Sequence, residues 1–147
     1  MPDSVHDLGH DHLEINRRVL AVGKLARDSN AAATSLVTAL GDLRELLFFH
    51  FAREEEGVFP FIAEAFPDLA ERARAMAVAH DTICGALART VHLASAGSDA
   101  AAIVALYERF EVAYSSHASL EAALLDDLNA RLDPANRASL VRLLEGL

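Results

Sequence analysis

Tryptophan is missing from this chain, and of its 147 residues one is cysteine, four are proline, seven are glycine and 6% are aromatic. The lone thiol, Cys84, rules out an internal disulfide and fits a reducing compartment. Few glycines and prolines, with 52% hydrophobic residues dominated by Ala and Leu, favour helix over sheet. Basic residues are also short: 13 Lys and Arg stand against 22 Asp and Glu, a net charge of -9. Without a basic stripe to neutralise phosphate, neither nucleic acid nor an anionic membrane is an expected partner. No apolar run approaches the ~18 residues that span a bilayer. Met1-Pro2-Asp3-Ser4-Val5-His6 has no basic stretch followed by an apolar one, so a signal peptide is not expected and the expected location is the cytoplasm. The length suits one domain over residues 1–147.

What is present is a repeated helical seam. Apolar positions step by threes and fours along Val5, Leu8, His12, Ile15, Val19, Val22, which predicts a first helix from the Asp3-Ser4 cap to about Arg27. A second helix is expected over about Ala32 to Glu56, with seam Leu36, Leu40, Leu43, Leu47, His50, Glu54, stopped or kinked by Gly57 and Pro60. Phe59 to Phe66 reads as a short apolar connector. The third helix starts at Pro67-Asp68 and runs to about Ala96 with seam Ala73, Met76, His80, Ile83, Leu87. The fourth reaches about Arg131 with seam Tyr107, Phe110, Tyr114, His117, Glu121, Leu124. Asp133-Pro134 opens a short C-terminal helix to about residue 146 that carries Leu140, Leu143, Leu144 and Leu147. The expected architecture is all-α: an up-down-up-down antiparallel four-helix bundle over about 4–131, with a short fifth helix.

Two His-x-x-x-Glu pairs, His50/Glu54 and His117/Glu121, each put an imidazole and a carboxylate one turn apart on a helix face. His12, His50 and Glu54 map onto His80, His117 and Glu121 by shifts of 68, 67 and 67 residues, so the chain reads as two similar hairpins. In antiparallel neighbours, residues equidistant from a turn lie side by side. The midpoint of 12 and 50 falls on the Asn30 break, and that of 80 and 117 on the Gly97–Asp99 break. The midpoint of 52, the centre of the His50/Glu54 pair, and 80 is 66, beside Pro67, so all six residues are expected in one layer. A lone seam histidine is ordinarily a satisfied core residue. Four with two carboxylates would gravely destabilise a bundle unless closely paired or bound to metal. Nitrogen and oxygen donors without thiolate suit Fe, Mn or Zn and are poor for Ca or Mg. Six donors are too many for one tetrahedral ion, and two carboxylates suit bridging between two.

The ordered set, His then His-x-x-x-Glu then His then His-x-x-x-Glu over residues 5 to 130, resembles the hemerythrin-like, or HHE cation-binding, domain. The resemblance implies two Fe ions, with Mn or Zn as alternatives, held by His12, His50, Glu54, His80, His117 and Glu121. It also implies bridging by the glutamates and by an oxo, hydroxo or water group. Oxygen-carrying hemerythrins have a further His one turn before the third-helix His, where this chain has Met76. They place an Asp five residues after the last His, where this chain has Glu at four. The pattern looks closer to bacterial HHE domains, which range over O2 or NO sensing, iron handling and iron-sulfur repair. The missing ligand leaves an open position near Met76 and Leu8 for water, O2, NO or peroxide.

Of the remaining histidines, His10 is about 200° round from His12 and should face solvent, while His6 and His92 are off the seam. His6 or His10 could supply an extra ligand. Tyr114, one turn from His117, is core by default and a partner for a metal-bound species by alternative. Glu55 and Glu56 read as a solvated face. Three function classes follow: a di-iron protein that binds or senses O2 or NO; a redox enzyme acting on peroxide, NO or iron; and a metal-stabilised interaction domain working through the fifth helix, with a homodimer as one form of it.

Overall fold

The computed structural model describes residues 4–147, with side chains from His12 onward, so Leu8, His6 and His10 lie outside the described side chains. Among the described residues every regular element is helical. Helix α1 spans Ser4–Arg27, α2 Ala33–Arg53, α3 Phe59–Ala65, α4 Ala70–Ser95, α5 Ala100–Arg131 and α6 Pro134–Glu145. The long helices pack as a closed ring, α1 on α2, α2 on α4, α4 on α5 and α5 on α1. The seam stripes are what each helix must bury, at about 1.5–3 kcal/mol per fully buried aliphatic side chain. Among the described residues no helix is long and apolar enough to cross a membrane.

The turns follow from local chemistry. Gly97 adopts φ +70°, where a Cβ is disfavoured, and ends α4. Ser98 N donates to Leu93 O and Gly97 N to Ala94 O, the paired bonds of a Schellman cap. At the start of α6, Asp133 accepts from Asn136 N at 2.7 Å, with Pro134 in the first turn. Arg131 forms a two-pronged bridge to Asp68 (2.6 and 2.9 Å) while lying 4.8 Å above the Phe66 ring. It ties the end of α5 to the turn before α4.

Two boundaries differ from expectation. The third long helix does not begin at Pro67: Pro67–Leu69 form a 3-10 turn, and α4 starts at Ala70. Gly57 and Pro60 do not stop the second helix. It continues through a π-helical segment, Glu54–Val58, directly into α3. Phe59 N donates to Glu54 O, five residues back. In a regular α-helix the Pro60 ring would collide with the carbonyl four residues earlier, that of Glu56; widening the turn relieves it.

The core is in two parts. One apolar cluster includes Ile15, Leu40, Leu47, Phe51, Ile83, Leu87, Phe110 and Tyr114. The other includes Val58, Phe59, Ile62, Met76, Leu124, Leu128, Leu140 and Leu144. Along α4 the buried His80, and along α5 His117 and Glu121, fall between the two.

Candidate metal centre

That dividing layer contains His12, His50, Glu54, His80, His117 and Glu121. Glu54 is fully buried and Glu121, His50, His80 and His117 are nearly so; His12 keeps 22% of its side chain exposed. One helix supplies each element of the layer: His12 from α1, His50 from α2 with Glu54 from the π segment, His80 from α4, and His117 with Glu121 from α5. The imidazoles pair edge to face, His12 with His50 at 4.6 Å between centroids and His80 with His117 at 4.7 Å.

The carboxylates lie among them. Glu121 Oε2 is 2.9 Å from His12 Nε2 and 3.6 Å from His117 Nε2. Glu54 Oε1 is 3.5 Å from His50 Nε2 and 3.3 Å from His80 Nε2, and its Oε2 is 3.7 Å from His12 Nε2. The donors form two overlapping sets, each with donor atoms within 4.8 Å of one another: His12, His50, Glu54 and Glu121; and Glu54, His80, His117 and Glu121. Both glutamates belong to both sets.

These are unusual contents for a protein interior. Both Glu54 oxygens, Glu121 Oε1, both nitrogens of His80 and of His117, and His12 Nε2 are buried with no aligned hydrogen-bond partner. Leaving such atoms unmatched is costly, and coordination of a cation is the chemistry that satisfies them as a set. Without a cation, charge settles between the groups. Burial opposes protonation of His12, but the Glu121 and Glu54 carboxylates more than offset it and push His12 up to about 10. Burial likewise favours the neutral form of Glu54, yet Glu121 and the imidazoles of His12, His50 and His80 hold it well below the usual carboxylate range.

The residues around the layer divide clearly. Met76 is buried in the second apolar cluster, one turn before His80. Tyr114 is buried, but its hydroxyl donates to Asn16 Oδ1 at 2.6 Å, so its proton is already engaged. Burial first, then Glu55 and Asp81, push the Cys84 thiol up to about 11, which opposes thiolate ligation. His92 is exposed. Two residues that sequence reasoning passed over matter here. Phe51 stacks on the His80 ring at 3.7 Å with an 8° interplanar angle. Glu55, expected on the solvated face, brings Oε1 to 3.6 Å from His80 Nδ1. No 3.6-residue seam would reveal it, because Glu55 follows Glu54 directly.

A helical ring with a buried layer of imidazoles and carboxylates defines a cation-binding bundle protein. The model of the hemerythrin HHE cation binding domain matches residues 3–128, and the chain belongs to that family. Membership implies binding of a metal cation, with iron the expected metal, and the His/Glu cluster is the candidate place for it. Neither a curated protein nor a solved structure matches the chain.

Proposed function

We propose that this protein is a non-haem di-iron protein that binds or senses O2 or NO. His12 and His50 would hold one ion, His80 and His117 the other, and Glu54 and Glu121 would be shared. The observation that carries this reading is the overlap of the two donor sets in both carboxylates. Two buried glutamates, each facing imidazoles from different helices, are what a pair of ions needs and more than a single ion needs. The closed ring of long helices and the short connections at 28–32 and 96–99 support an up-down-up-down bundle as the frame.

Each set offers four protein donors, fewer than the six of an octahedral ion, so exchangeable positions remain. Bound iron supplies the redox chemistry and the affinity for a diatomic ligand. The protein's own residues do the rest. Met76 fills with an apolar side chain the place where a further imidazole would reduce the open positions. The two apolar clusters keep bulk water away from the layer. Phe51 fixes the plane of His80. Nothing in the chemistry of the layer calls for a large substrate. The cytoplasm is the proposed location.

The test is gas uptake by protein loaded with Fe(II) under anaerobic conditions. Stoichiometric uptake of O2 or NO, with a visible absorption change that reverses when the gas is removed, is expected. Irreversible oxidation by O2 together with no uptake of NO would contradict the reading. Steady-state consumption of peroxide or NO would move the protein into the enzyme class.

A further inference from the structure

We propose that Glu55 is a positioning residue for His80, acting from the far side of the imidazole on the ion that His80 and His117 hold. The inference rests on the di-iron reading above and extends it to a residue outside both donor sets. In a regular helix, adjacent side chains diverge by about 100°, so a carboxylate following an inward-facing one is turned to the flank. Here the π-helical segment starts at Glu54, and its wider turn lets both glutamates reach the same ring. Glu54 Oε1 lies 3.3 Å from Nε2 and Glu55 Oε1 3.6 Å from Nδ1. His80 is therefore approached at its two ring nitrogens by carboxylates from consecutive residues.

The ring has little freedom to do otherwise. It is 2% exposed, stacked on Phe51 and flanked by Phe59 at 5.7 Å. Its Nδ1 is buried and lacks an aligned hydrogen-bond partner, and Glu55 is the carboxylate that approaches it. A proton held on Nδ1 toward Glu55 fixes the tautomer that leaves the Nε2 lone pair for an ion, and it makes the imidazole a stronger donor. Glu55 keeps its own tail in a solvent groove of about 300 Å³, bordered by Phe59, Pro60, Ala73, Arg74 and Ala77. It is 42% exposed, so its replacement removes no core packing.

The experiment compares the wild-type chain with Glu55→Ala, Glu55→Gln and Glu56→Ala. Glu56 is an exposed neighbour of the same charge and serves as the control for charge alone. Metal-free protein is titrated with Fe(II) anaerobically against a competing chelator, and the ⁵⁷Fe-loaded forms are compared by Mössbauer spectroscopy. Glu55→Ala should weaken one of two binding events about 10–100-fold and shift one of two iron signals, with the other event unchanged. Glu55→Gln, which keeps an acceptor oxygen, should fall between, and Glu56→Ala should match wild type. Two events of wild-type affinity with unshifted signals in Glu55→Ala would overturn the proposal alone, as would equal losses in Glu55→Ala and Glu56→Ala. Fewer than two ions in the wild type would overturn the di-iron reading and this proposal with it.

Discussion

At the residue scale the centre is a set of groups that are poor neighbours without a cation. His12 shows the consequence. Its pKa in the metal-free fold, about 10, lies above its ordinary 6.5. The stabilisation from its pairing with Glu121 and Glu54 is therefore fully present below pH 6.5 and is lost as pH rises toward 10. Glu54 is shifted the other way, so its contribution fades as pH falls through and below the ordinary carboxylate range. Chelator-treated protein should melt at progressively lower temperature between pH 6.5 and 10, while iron-loaded protein should not. Calorimetry at a series of pH values reads this directly; a flat or rising metal-free profile would contradict it. A coordinated His12 must also give up its proton, so loading with Fe(II) at pH 7 should release protons into a weakly buffered solution.

At the element scale, the long helices were legible because each buries one continuous stripe. His50, His80 and His117 announce themselves by occupying stripe positions where Leu or Ile would otherwise stand. The turn at Gly97 and the cap at Asp133 were legible for the same reason: each residue type has one backbone task there. The π segment was not. Gly57 and Pro60 read as a stop or a kink, yet the chain absorbs the proline by widening one turn, a response that depends on what packs beside it. Gly57 is part of that packing. A Cβ there would meet Leu144 Cδ2 and Leu147 Cδ1, both at 3.0 Å, so its absence lets α6 lie close against the segment carrying Glu54. Leu144 is buried and cannot yield freely. Gly57→Val should destabilise the protein by about 1–3 kcal/mol through overpacking, seen as a lowered Tm. A shift within error would show that α6 gives way at no cost.

At the scale of the whole molecule, two apolar cores are separated by a polar layer drawn from all four long helices. The seam spacing made that layer readable in advance, since His12 and His50, and His80 and His117, are equidistant from their turns. The carboxylate behind His80 and the stacking of Phe51 were not readable, because they arise from side chains beside the seam and from a local change of helical period. A cation in the first donor set would join α1, α2, the π segment and α5, and one in the second the π segment, α4 and α5, so binding free energy is folding free energy. At free iron 100-fold above the dissociation constant the gain is about 2.7 kcal/mol, or roughly 5–10 °C in Tm for a chain of this size. Scanning calorimetry with and without chelator should show that rise, and Glu54→Ala, which removes a donor from both sets, should abolish it.

The number of ions the layer takes separates a paired centre from a single one. Anaerobic titration of metal-free protein with Fe(II), followed by elemental analysis after removal of excess metal, should give an end point of two ions per chain, and Glu54→Ala should fall well short of it. An end point of one or none in the wild-type protein would contradict the central claim.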